Sequence, residues 1–202
     1  MIVTGSAPVK EFQIAPTGSH LARLYRIIDL GTQKSEYMGK VNMLRKVKFF
    51  WELHGDDLKT DDGKPLIQTR NYTLSLGEKA SLRKDLESWR GKSFTEDELR
   101  GFDLTNLLDK WCMITVQHRE SNGKTYADAV AVTPVPAVVA KAGLPSGVNP
   151  TLLFDMQKFD QAVFDSLSDG LKNQIMQSAE FQNKNRKVHN AIEDDEDLSI
   201  PF

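Results

Sequence analysis

The chain has 202 residues, 40% hydrophobic and 27% charged, a globular balance that suits one ordinary domain with an appendage or two small domains. The net charge of −2 excludes a uniformly basic nucleic-acid binder. It divides, however, into +2 over residues 1–135 and −4 over residues 136–202, so the larger part stays compatible with phosphate. No run of 18 apolar residues marks a membrane span, no basic-then-apolar leader fills the first 20 residues, and the lone Cys112 excludes an internal disulfide. These features predict a cytoplasmic protein without membrane association.

Residues 1–19, with Gly5, Pro8, Pro16 and Gly18, read as a loose N-terminal arm. His20 to Leu30 alternates well enough for a first strand, with an irregularity expected near Ile27–Ile28 and Gly31 as its end. Met43 to Leu53 is the second strand. Val47, Phe49, Trp51 and Leu53 share one face, and Lys46, Lys48, Phe50 and Glu52 share the other. The acidic, glycine-containing stretch 54–65 is a connection, and Leu66 to Leu76 is a third strand rich in Thr and branched or aromatic residues. After Gly77 the period changes. Leu82, Leu86 and Trp89 fall at helical spacing, and Gly91 closes that helix. A short helix over 103–110 is capped by Asp103. Trp111 to His118 is a fourth strand, Ser121-Asn122-Gly123-Lys124 a turn, and Thr125 to Val135 a fifth strand.

Three strands, a helix and two strands predict a mainly-β chain: a five-stranded Greek-key OB-fold barrel over 20–135, with its helix between strands three and four. Alternating Rossmann units and an RNA-recognition fold, which opens strand–helix–strand, fit the order worse. Pro and Gly punctuate a linker over 136–150, and residues 151–188 carry two weak helical stripes. From 189 to 202 the chain is an acidic tail whose composition predicts disorder.

Interleaved cations and rings suit a face on which bases stack and phosphates are neutralised. Arg23 and Tyr25 on the first strand, Lys46, Lys48 and Phe50 on the second, and Arg70 and Tyr72 on the third are the candidates. Lys34, Lys40 and Arg45 could extend the track. Trp51 and Trp111 have apolar neighbours at i±2 and read as core. Gly91-Lys92-Ser93 and Gly123-Lys124-Thr125 mimic the end of a phosphate loop, but the positions needing an upstream glycine hold Leu86 and His118. The four histidines are scattered and Cys112 lies inside a strand, so neither metal, cofactor nor catalytic residues are expected.

The sharpest feature is the ending, Asp194-Asp195-Glu196-Asp197-Leu198-Ser199-Ile200-Pro201-Phe202. Ile200, Pro201 and Phe202 form an apolar anchor behind a run of acids, and a free carboxylate on Phe202 would meet a cation in a partner's pocket. This ending resembles the acidic tip of bacterial and phage single-stranded DNA-binding proteins, with Leu198-Ser199 departing from the tightest form. LARLYRIIDLGTQ, RNYTLSLGEKASLRKDLESWRGK and FDLTNLLDKWC likewise resemble a family of phage-encoded OB-type proteins. The resemblance implies binding of single strands during phage replication, recombination or repair in the host cytoplasm, with the tail recruiting replication or recombination proteins. Two alternatives stay open: a strand-annealing or recombination-mediator protein, and an adaptor that binds no DNA. Self-association through the 151–188 helices is a further expectation.

Overall fold

A computed structural model describes residues 13–184, and the long first strand organises it. β1 (Gly18–Tyr37) runs into β2 (Lys40–His54) as an antiparallel hairpin. β3 (Ile67–Thr73) follows, then α1 (Ser81–Arg90), α2 (Glu96–Arg100), a 3-10 turn over Leu104–Leu107, β4 (Trp111–Ser121) and β5 (Lys124–Thr133). The remainder is α3 (Ala137–Ala142), β6 (Leu152–Phe154), a 3-10 turn over Met156–Lys158, α4 (Gln161–Ser166) and α5 (Asp169–Met176). The chain is therefore mainly β, built on one sheet in the order β3-β2-β1-β4-β5, antiparallel throughout, with β6 added in parallel to β1.

β1 bends through two register shifts, between Leu24 and Arg26 and between Asp29 and Gly31, on either side of Ile27–Ile28. Each bulge turns the strand and switches which side chains face inward. The bend also divides one edge of β1 between two partners. Gly18–Arg23 pairs with β4, and Arg26–Ile28 pairs with β6. Gly31 makes the second shift possible. Its φ is +68°, and a Cβ there would lie 2.6 Å from Ser178 Cβ.

Two cores lie on opposite sides of the sheet. On the inner side, Leu24, Ile27, Phe49, Trp51, Ile114 and Val132 pack under Leu82, Leu86 and Trp89 of α1. Gly91 closes α1 in the left-handed conformation, donating its N–H to Ser88 O. On the outer side, Tyr25, Ile28, Leu30 and Phe50 are covered by Phe154, Phe164, Leu167, Leu171 and Ile175. The stripes in 151–188 are thus the lid of this second core. Glu180 fastens it: its carboxylate accepts from Thr32 N at 2.7 Å and Thr32 Oγ1 at 2.6 Å.

The expected helix over 103–110 is a single 3-10 turn, with Asp103 capping it by accepting from Thr105 N. α2 carries a reciprocal capping box between Thr95 and Glu98. Residues 136–150 contain α3 and end anchored, because the amides of Val148 and Asn149 donate to Glu52 at 2.9 and 2.7 Å. Gly147 passes so close to the Arg23 guanidinium that a Cβ would sit 2.1 Å from its central carbon.

Candidate nucleic-acid interface

The seven expected binding residues do not share one face. Lys46, Lys48 and Phe50 lie on the outer face of β2, opposite Thr73, Asn71 and Thr69 of β3. Arg70 and Tyr72 pair with Phe49 and Val47, and so face inward toward α1. Tyr72 is 2% exposed and donates its hydroxyl to Asp85 Oδ2 at 2.7 Å, while Arg70 Nη1 lies 3.0 Å from the same oxygen. Burial pushes the Tyr72 phenol far above its ordinary range, and the adjacent Asp85 adds to that shift. These two residues hold α1 on the sheet. The alternation of β3 taken alone does not reveal this, because its register against β2 decides which face is which.

Arg23 and Tyr25 are both committed to contacts within the fold. Arg23 is buried, donating Nε to Glu52 Oε1 at 2.7 Å and Nη1 to Asp109 Oδ1 at 2.6 Å, with a third bond to Asn149 O. Tyr25 is the residue skipped at the shift. It points outward, as expected, but lies under the 152–176 lid. Phe50 belongs to the same core, with the Arg26 guanidinium 5.4 Å and the Lys48 ammonium 5.5 Å from its ring centre. Partial burial lowers the Lys48 pKa. On the hairpin arm Lys34 and Lys40 are exposed, whereas Arg45 is paired with Asp29.

Glu52 is the hub beneath this region and is 0% exposed. Besides Arg23 it accepts from the Val148 and Asn149 amides and from Asn149 Nδ2 at 2.6 Å, and His54 Nε2 lies 3.0 Å away. Burial works against its ionisation, yet Arg23, the two amides and His54 together hold the carboxyl down at about 2. Glu52 is thus a structural anion that ties the end of the 136–150 stretch to the sheet.

What the outer face does bring together is a polar track. A cleft of about 680 Å³ follows the gap between β3 and β5, lined by Thr69, Asn71, Thr125 and Tyr126 among others. A second, of about 310 Å³, lies between β2–β3 and α5 and is lined by Leu30, Gln33, Lys46, Asn71, Gln174 and Gln177. Asn71 lines both, so the two are neighbours. Tyr126 is 41% exposed, with the Arg119 guanidinium 5.1 Å from its ring centre and Arg119 Nε 2.6 Å from Asp128 Oδ2. Lys46 Nζ donates to Thr73 Oγ1 at 2.8 Å. A ring free on one side, ammonium groups and several amides can stack a base, neutralise phosphate and hydrogen-bond base edges.

The sequence reading overlooks Asn71, Arg119, Tyr126, Gln174 and Gln177. The period of the fifth strand does place Tyr126 apart from the alanines. The glutamines carry no local signal, since only docking of α5 brings them to the sheet.

Among the described residues, no group of three or more His, Cys, Asp or Glu side chains is placed to hold a metal, and no helix is long and apolar enough to cross a membrane. Cys112 is buried, and burial pushes its thiol well up. The tail residues Asp194, Asp195, Glu196, Asp197, Ile200, Pro201 and Phe202 lie outside the described residues. No protein-family model matches the chain, and no curated protein matches it.

Proposed function

We propose that the protein binds single-stranded DNA across the outer face of β2 and β3, on an OB-type barrel. The observation that carries this reading is the pair of polar clefts meeting at Asn71, with Lys46 and Lys48 on one side and the half-exposed Tyr126 on the other. The sheet order supports the barrel: β1 pairs with both β2 and β4, α1 sits between β3 and β4, and β3 and β5 form the two ends. Gln68 Nε2 donates to Ala127 O at 2.8 Å across those ends, a side-chain bridge where a closed barrel would have a ladder. Single-strand binders of this architecture use the strand 2–3 face.

The acidic ending belongs to the same proposal. A run of carboxylates before Ile200, Pro201 and Phe202 suits recruitment of a replication or recombination protein with a basic-rimmed apolar pocket.

Fluorescence anisotropy with labelled oligo-dT, repeated with duplex DNA and across a salt series, tests the binding reading. Tight, salt-sensitive single-strand binding with much weaker duplex binding is expected. Tyr126→Ala is expected to weaken it by about 1–3 kcal/mol, the range for loss of one stacked base. Failure to bind at low salt, by the full chain and by a tail-less chain alike, sinks the reading and favours an adaptor.

A further inference from the structure

We infer that the smaller cleft, between β2–β3 and α5, is a pocket for a single unstacked nucleobase and gives the protein a base preference. The inference rests on the single-strand reading above and adds selectivity to it. The cleft's polar complement is unusual for a phosphate track, because it is dominated by carboxamides: Gln33, Asn71, Gln174 and Gln177, with Lys46 the single cation among its lining residues and Leu30 at its apolar wall. Carboxamides contribute little to phosphate neutralisation, but they match the paired donors and acceptors along a base edge.

Part of this complement is fixed. Gln33 Nε2 donates to Leu30 O at 2.6 Å and to Gln174 O at 2.8 Å, so both of its hydrogens are occupied and its amide can meet a ligand only as an acceptor. Lys46, already donating to Thr73 Oγ1, can meet a ligand only as a donor. A donor and an acceptor held in set positions accept one order of groups along a base edge better than the reverse order. Thymine or uracil and cytosine are similar in size but present opposite orders at ring positions three and four, an N–H and a carbonyl against a bare nitrogen and an amino group. The exposed amides of Asn71 and Gln177 border the same space. At about 310 Å³ the cleft has room for a base, and only an unpaired base offers that edge.

The test is anisotropy with labelled oligomers of about 15 nucleotides, oligo-dT against oligo-dC and oligo-rU against oligo-rC. The wild-type chain and a Gln33→Ala/Gln177→Ala double variant are compared, with circular dichroism checking the variant's fold. In whichever sugar series binds, the two pyrimidines are expected to differ by about fivefold or more, the lower end for one good base-edge contact. In the variant the difference falls to less than about twofold because the preferred oligomer loses affinity. Equal binding of the two pyrimidines by the wild-type chain overturns the pocket alone, as does a difference that survives in the variant. No binding of any oligomer overturns the single-strand reading and the pocket with it.

Discussion

Replacing Glu52 by Gln keeps the shape of the side chain and removes its charge, so it isolates what the buried anion does. In the native arrangement the carboxylate accepts from Arg23 Nε, the Val148 and Asn149 amides and Asn149 Nδ2. A carboxamide offers one acceptor oxygen and points an NH2 at donors, so some of these groups lose their partner and Arg23 stays buried with only Asp109 to balance it. Breaking a buried pair in this way costs about 3–5 kcal/mol. The lowered carboxyl pKa gives a second figure for the same contacts. The carboxyl sits at about 2 in the folded chain against 4.5 in its ordinary state, which corresponds to about 3 kcal/mol. Because the folded value is the lower one, this stability is complete above about pH 4.5 and disappears as the pH falls through about 2. Urea unfolding followed by tryptophan fluorescence measures both quantities, since Trp51 neighbours Glu52 in β2. Glu52→Gln is expected to unfold about 3–5 kcal/mol more easily at neutral pH and to lose its share of the acid-side slope. A variant within 1 kcal/mol of wild type, or one with an unchanged slope between pH 5 and 2, refutes the account of Glu52 as the anchor.

Three further outcomes follow from the same structure. Gly31→Ala is expected to cost about 1–3 kcal/mol through its positive φ and the clash with Ser178, and limited proteolysis should then release the 152–184 segment first. Tyr72→Phe removes the donor to Asp85, with an expected loss of about 1–3 kcal/mol; a neutral result in chemical denaturation would mean that the pair does not hold α1. Lys46→Ala and Lys48→Ala should each lower the steepness of log affinity against log salt by about 0.7 if the lysine neutralises a single-strand phosphate, whereas Arg70→Gln should leave that slope unaltered, since Arg70 is paired with Asp85.

Local signals proved sufficient where an element is decided locally. The alternation of Val47, Phe49, Trp51 and Leu53 places them all in the inner core, and the Leu82-Leu86-Trp89 spacing marks the buried face of α1. Gly91 and Asp103 sit at the two caps that their residue types suggest. α2 is not among the elements read from the sequence, although the Thr95-to-Glu98 spacing of its capping box is present in the letters. The candidate face was harder, because its side chains are assigned by long-range events. Arg23 turns to Glu52 and Asp109, and Tyr25 is placed by a bulge that no single residue announces. Arg70 and Tyr72 are recruited by Asp85 of the following helix. β6 has three residues and pairs with a strand more than a hundred positions earlier, so no local period could show it.

The lid over Tyr25, Ile28, Leu30 and Phe50 also has a meaning in time. It is supplied by Phe154, Phe164, Leu171 and Ile175, which are synthesised long after the strands they cover. A chain leaving the ribosome at roughly 5–20 residues per second exposes that greasy patch for on the order of ten seconds before its cover emerges. During that interval the half-made protein is a client for any holdase that recognises apolar strands. Fragments ending near residue 135 would carry the patch permanently, so the smallest well-behaved piece of this molecule extends through α5.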